Sequence, residues 1–145
     1  MKILCLHGPN LNLLGIREPD LYGDRSYRAL IAFVRRVAAE QGVSIRCKQT
    51  NHEGKLVDWI QKARGRYDGI VINAGAYTHT SVAVLDALKA VGIPTAEVHL
   101  TDIDSREDFR KHSYISLYAA VRVAGEGFEG YRRALTELVA LCRNS

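Results

Sequence analysis

Glu97 and His99 stand two apart in a short apolar run, so on a strand both side chains leave the same face. A carboxylate beside an imidazole is a proton-transfer pair. The carboxylate orients the ring, and the ring, with an ordinary pKa of about 6.5, can give or take a proton near neutral pH. Read alone, His99 is also compatible with a histidine satisfied at a strand end. Further polar groups accompany the pair. Asn10, Asn12, Arg17, Glu18 and Tyr22 follow the first apolar run, Asn73 opens the stretch Asn73-Ala74-Gly75-Ala76-Tyr77-Thr78-His79-Thr80-Ser81, and Arg106 and Arg110 follow His99. On bare residue type, Asn10 after Pro9 reads as a turn residue and Tyr22 as a loop aromatic packed on the domain.

The formal net charge is +4, from 20 Lys+Arg and 16 Asp+Glu, which suits a protein that handles an acidic small molecule. The basic residues are scattered, without a run of five and without interleaved aromatics, so a nucleic-acid partner is not expected. The chain lacks the ~18-residue apolar run of a membrane span. Its opening apolar stretch is too short for a signal peptide and reads as a buried strand. The three cysteines, Cys5, Cys47 and Cys142, are odd in number and widely spaced. They point to reduced thiols in a cytoplasmic protein, with neither a disulfide framework nor a zinc site. His52-Glu53 and the remaining histidines lack metal-ligand spacing and imply no metal.

One pattern misleads. Gly125-Glu126-Gly127-Phe128-Glu129-Gly130 spells the dinucleotide-binding G-x-G-x-x-G. Only 15 residues follow Gly130, too few for a second strand and its ribose-binding acid, and Glu126 would repel a pyrophosphate. A tight strand-to-helix turn is the better reading.

The elements that must position these residues alternate along the chain. Strands are expected over 2–7, 43–49, 68–73, 94–100 and 119–124. Helices are expected over 26–41, 54–63, 80–91 and 128–142, from apolar spacing such as Leu30, Val34, Val37 and Ala38, or Val82, Leu85 and Leu88. Ser26 can cap the first helix and Gly42 can end it. Such alternation predicts a single α/β domain over 1–145, a flavodoxin-like three-layer sandwich whose five-stranded parallel sheet runs in the order 2-1-3-4-5. Ligands bind such sheets beyond the carboxyl ends of the strands, near the switch point, which is where the polar groups above fall. The stretch 7–25 is too long for a turn and is expected to include a mobile lid, and a short helical piece is expected around 106–112.

The residues then carry a specific resemblance. His7-Gly8-Pro9-Asn10-Leu11-Asn12-Leu13-Leu14-Gly15, Arg17-Glu18-Pro19, Tyr22-Gly23, Asn51-His52-Glu53-Gly54, the stretch from Asn73 to Ser81, Glu97-Val98-His99, and Arg106-Glu107 with His112-Ser113-Tyr114 resemble, in order, the sequence blocks of type II 3-dehydroquinate dehydratases. They cover nearly the whole chain. The resemblance implies a flavodoxin-like hydro-lyase without cofactor or metal. Its reaction is the reversible anti elimination of water from 3-dehydroquinate to 3-dehydroshikimate through an enolate, in the shikimate pathway or in quinate catabolism.

The resemblance also implies roles. Tyr22 is the base, acting as tyrosinate. Its ordinary pKa of about 10 makes ionisation at pH 7 cost about 4 kcal/mol, an amount that a guanidinium about 4 Å away can supply at an effective dielectric of about 20. Arg17 is the supporting arginine, His99 the acid for the leaving hydroxyl and Glu97 its orienter. Asn10 holds a water at the enolate oxygen. Asn73 and the Leu100-Thr101 backbone, with the Thr101 hydroxyl, meet the carboxylate, while His79 and Arg110 meet ring hydroxyls. Asp86, an exposed helix residue on its own chain, reaches a neighbouring subunit's site in a dodecamer of four trimers. His79 is otherwise a helix N-terminal residue, near the plausible caps Thr78 and Thr80.

Three departures stand out. Thr101-Asp102 replaces a common Ser-Asn, His7 replaces a common asparagine, and Asp24-Arg25-Ser26 is an unusual end to the lid. Other occupants of the fold fit less well. A flavin protein wants a Ser/Thr/Gly phosphate loop where Gly8-Pro9-Asn10 stands, and a phosphoreceiver wants aspartate where Asn73 stands. A catalytically silent relative would be expected to lack the base or the acid, yet Tyr22, Arg17, Asn10 and His99 are all present.

Overall fold

Gly69-Ile70-Val71-Ile72-Asn73 is buried along its whole length, as an uninterrupted apolar run in the middle of a parallel sheet must be. The computed structural model describes residues 1–16, 18, 20 and 25–145. Its strands are β1 (Lys2–His7), β2 (Ser44–Gln49), β3 (Gly69–Asn73), β4 (Thr95–His99) and β5 (Val121–Ala124). The α-helices among the described residues are α1 (Tyr27–Glu40), α2 (Glu53–Ala63), α3 (Val82–Val91) and α4 (Gly127–Arg143). All strand pairs are parallel and the order is β2-β1-β3-β4-β5, the topology expected from the sequence.

Alternation along the strands divides the core in two. Ile3, Cys5, Val71, Ala96 and Val98 pack with α1 and α4, whereas Leu4, Leu6, Ile70 and Ile72 pack with α2 and α3. Burying each such aliphatic side chain contributes about 1.5–3 kcal/mol relative to exposure. Ser26 caps α1, its Oγ accepting from the Ala29 N–H, and Gly42 follows with φ 68°. Two expectations for α3 are corrected. Its cap is Ser81, whose Oγ accepts from the Val84 N–H, because Thr78 is drawn inward by a buried carboxylate. Val82 is 47% exposed, and Val84 supplies the inward valine instead. The short helical piece expected around 106–112 is the 3-10 turn Asp108–Arg110, one of three such turns after β4 with Ile103–Ser105 and Ile115–Leu117.

Two glycines fix close approaches at the carboxyl edge. A Cβ on Gly8 would stand 2.2 Å from the Ala74 carbonyl oxygen, so only glycine lets the chain leaving β1 lie against the chain leaving β3. Gly125, at φ 80°, begins the misleading glycine pattern, and a Cβ there would lie 3.0 Å from Asp102 Cβ. The Gly125 and Gly127 N–H groups donate to the carbonyls of His99 and Leu100, so this turn secures the end of β4.

Candidate active site

Thr95, Glu97 and His99 point to the α2/α3 face of β4, opposite Ala96 and Val98. Glu97 is fully buried, and His99 Nε2 lies 2.5 Å from its Oε2. The hydroxyls of Thr78 and Ser113 approach the same oxygen at 2.9 and 2.6 Å, and Ser116 Oγ donates to Oε1 at 2.5 Å. Burial alone would raise the Glu97 pKa. The hydrogen bond and charge of His99, with donation from Ser113 and Ser116, outweigh it and bring the carboxyl down to about 2. Glu97 is therefore a carboxylate throughout the neutral range. With Nε2 on Glu97, the ring presents Nδ1 as its other nitrogen.

His99 forms part of the wall of a cavity of about 130 Å³ beyond the carboxyl ends of β1, β3 and β4. Asn10, Asn73, His79, Leu100, Thr101 and Arg110, each expected from the sequence, also line it. Arg106 lines it too, a residue to which the sequence reading gave no role. No carboxylate occurs among the described residues that line the cavity, and two guanidiniums do, so the walls favour an anion. Two larger, shallower depressions at the other end of the sheet, around Lys2 and Tyr67, hold no comparable acid–base pair.

Each lining group has a support. Asn73 is buried at the end of β3, where its Oδ1 accepts from the Gly75 N–H at 3.1 Å and its Nδ2 donates to the Tyr131 hydroxyl at 3.1 Å. One amide proton remains for a ligand. Asn10 adopts a left-handed conformation, φ 69°, and its backbone N–H donates to Asn51 Oδ1 at 3.1 Å. Asn51 also accepts at that oxygen from Gln49 Nε2 and at its carbonyl from the Tyr77 hydroxyl. The His79 Nδ1–H donates to the His112 carbonyl at 2.7 Å. Burial lowers the His79 pKa, against the His112 bond, and the charges of His99, Arg110 and Arg106 lower it further. A neutral His79 that donates from Nδ1 has Nε2 as an acceptor. Arg110 Nε stands 2.8 Å from Glu107 Oε2.

Asp86 is exposed on α3 and does not line the cavity of its own chain. Tyr22 and Arg17 lie outside the described residues, as does much of the expected lid. Asp102 is exposed and does not line the cavity; its carboxylate caps the Ile103–Ser105 turn by accepting from the Asp104 N–H. The sequence reading missed Thr78, Ser113 and Ser116 as partners of Glu97, and Tyr131 as the partner of Asn73. No local pattern marks them, since the Glu97 partners lie 16 to 19 residues away and Tyr131 is 58 from Asn73. No group of three His, Cys, Asp or Glu side chains among the described residues is arranged to hold a metal ion. Nor is any helix there long and apolar enough to cross a membrane.

Comparison with known proteins agrees with the fold. The model of the family Dehydroquinase class II matches residues 1–139. The 3-dehydroquinate dehydratase of Corynebacterium glutamicum strain R is 51% identical over 140 residues, 97% of each chain. The catabolic 3-dehydroquinase 2 of Aspergillus flavus is 50% identical over 144 residues, 97% of this chain and 96% of its own. Among solved structures, the type II dehydroquinase of Butyrivibrio crossotus superposes with a TM-score of 0.94 at 42% identity, covering 96% of this chain and 97% of the other. With the family model over residues 1–139, relatives about half identical along nearly the whole chain, and the strand order in agreement, the chain belongs to the class II dehydroquinase family.

Proposed function

We propose that this protein is a 3-dehydroquinate dehydratase that eliminates water by way of an enolate, with Tyr22 as base and His99 as acid. The observation that carries the reading is the Glu97–His99 couple, buried behind a cavity whose described lining holds Arg106, Arg110 and Asn73 and no carboxylate. In this reading the substrate carboxylate binds at the remaining Asn73 amide proton and at Leu100-Thr101, and the ring hydroxyls bind at His79 and Arg110. Tyr22, as phenolate beside Arg17, takes the proton next to the ketone. The electron pair moves onto the carbonyl oxygen, where a water held by Asn10 donates to it. Collapse of the enolate expels the hydroxyl, and His99 Nδ1–H gives it the proton that makes it water. The Nε2–H stays on Glu97, whose ionised carboxylate holds the ring in place with Nδ1 as its other nitrogen. Deprotonated Tyr22 and protonated His99 are then restored through solvent.

The same reading makes the protein a homo-oligomer, a dodecamer of four trimers, in which Asp86 serves a neighbour's site. The exposure of Asp86, and of Val82 at 47% and Phe109 at 68% close to His79 and Arg110 in sequence, supports it. Both biosynthetic and catabolic pathways use this step.

The test is the ultraviolet absorbance of the conjugated enone acid after chelator-treated protein is mixed with 3-dehydroquinate. Rising absorbance, reduced at least ~100-fold in a folded Tyr22→Phe variant, is the expected result. Folded, oligomeric protein that gives no rise would overturn the reading.

A further inference from the structure

Of the three cysteines, two face one another across the sheet. Cys5 on β1 and Cys47 on β2 are register partners in parallel strands, and both side chains lie on the α1/α4 side. The Cα atoms of such partners stand about 4.8 Å apart, inside the roughly 4.4–6.8 Å that a disulfide spans. Cys5 is fully buried, with Sγ 3.8 Å from His7 Nε2. Cys47 is half-buried, because β2 is an edge strand, and it lines a depression with Lys2, Arg35 and Arg46. Solvent therefore reaches one thiol of the pair and not the other. Cys142 stands apart near the end of α4, its Sγ donating to the Asp68 carbonyl at 3.4 Å.

Protonation follows from the same arrangement. A hydrogen bond from the Cys5 thiol lowers the Cys47 pKa; burial opposes this and the Arg35 charge reinforces it. The same bond, then burial and the charge on Cys47, raise the Cys5 pKa well above the ordinary thiol range. Burial and the charge of Asp68 raise the Cys142 pKa. The thiolate is the reactive form of cysteine, so Cys47 is the nucleophile of the three and Cys5 its protonated neighbour.

We propose that Cys47 and Cys5 form a redox-active dithiol, in which Cys47 reacts with a hydroperoxide and Cys5 resolves the product as a disulfide between β1 and β2. The Cys47 thiolate attacks the terminal oxygen of the hydroperoxide. An S–O bond forms, the O–O bond breaks, and the other oxygen leaves and takes a proton from solvent, as water or an alcohol. Cys47 is now a sulfenic acid, oxidised by two electrons. The Cys5 sulfur then attacks the Cys47 sulfur. The S–S bond forms, the S–O bond breaks, and the departing hydroxide takes the Cys5 proton as water. Exchange with an external thiol restores the reduced pair. Neither sulfur lines the cavity at the carboxyl edge, so this site is separate from the one proposed for dehydration.

The test compares the three thiols in one sample of the intact protein. It is treated with hydrogen peroxide at neutral pH, denatured and alkylated without reductant, and mapped by peptide mass spectrometry. Peptides joined through Cys5 and Cys47 of one chain are expected, separable by dithiothreitol, while Cys142 is still alkylated. Loss of free Cys47 should run at least about tenfold faster than loss of free Cys142. Cys5→Ser should leave Cys47 as a sulfenic acid that dimedone traps, and Cys47→Ser should leave Cys5 unreacted, since burial keeps the oxidant out. The wild type alone reports the linkage, so a variant that misfolds does not decide the outcome. Equal consumption of Cys47 and Cys142, oxidation of Cys47 without a link to Cys5, or linkage only between chains would overturn the proposal.

Discussion

His7 and His99 end parallel strands at the same edge of the sheet, and the residue two positions earlier gives them different work. Before His99 stands Glu97, so the imidazole meets a buried carboxylate at 2.5 Å and faces the cavity. Before His7 stands Cys5, so that ring meets a weakly polar thiol at 3.8 Å and a phenol at 3.0 Å, and burial leaves it neutral. The two also face opposite layers, His99 toward α2 and α3 and His7 toward α1 and α4. Strand position brings a histidine to the carboxyl edge; a charged partner is what suits it, in the proposed mechanism, to carry a proton.

The largest effect should come from breaking the charged pair's imidazole. His99→Gln keeps a polar side chain but cannot shuttle a proton, and kcat should fall about 1000-fold, within the usual range for an acid–base group. His7→Asn should change kcat by less than about twofold, far below the ~1 kcal/mol of a lost hydrogen bond. Steady-state kinetics on both variants check the contrast. Equal losses in the two would mean that the histidines are not functionally distinct.

The pH dependence of stability separates them next. The His7 pKa is about 3 in the folded chain against an ordinary value of 6.5. Between those values the unfolded chain binds a proton that the folded one refuses. Stability is therefore full above 6.5 and falls as pH drops toward 3, by on the order of 5 kcal/mol in all. Glu97 is ionised down to about 2 against an ordinary 4.5, so its contribution is present above 4.5 and is lost as pH falls toward 2. Urea unfolding from pH 7 to 3 should show a slope beginning near 6.5 that His7→Asn flattens and Glu97→Gln leaves in place. A slope that starts only below 4.5 in the wild type would contradict the neutral, buried His7.

What the sequence made legible follows the range of the interactions. Period-two and period-3.6 patterns act over a few residues, so all five strands and four helices stand close to where those patterns put them, and the Ser26 cap was visible because its partner is three residues away. Choosing between Thr78, Thr80 and Ser81 as the α3 cap needed knowledge that a carboxylate 19 residues on would draw Thr78 inward. Val82 fitted the apolar spacing as well as Val84 did, and only the orientation of α3 against the sheet decides between them. The gathering of polar groups at the carboxyl edge was legible from the expected strand order, whereas their separate roles came from the family resemblance. The lattice of hydroxyls behind Glu97 was not legible at all, because serine and threonine carry no signal until the chain has folded around a charge. Arg25 is the reverse case, an oddity in sequence whose reason, the Phe128 ring, appears only in space.

The smallest effect tests that hydroxyl lattice. Thr78 and Ser113 each approach Glu97 Oε2 and lie 2.6 Å from one another, which makes three close contacts among hydroxyls that own two protons. One contact must therefore be served by sharing. If Thr78 is lost, Ser113 can turn its proton wholly to the carboxylate, and the reverse holds for Ser113. Thr78→Val and Ser113→Ala should then each cost only about 1 kcal/mol of stability, below the ~1.5–3 kcal/mol of an unshared bond to a charge. The double variant leaves Oε2 with His99 as its remaining partner here, and its cost should exceed the sum of the single ones. Chemical denaturation of the four proteins measures this directly. Strict additivity would show that each hydroxyl holds the carboxylate by itself, and the contrast with His7, whose Nδ1 is served by a single hydroxyl, would narrow to the charge alone.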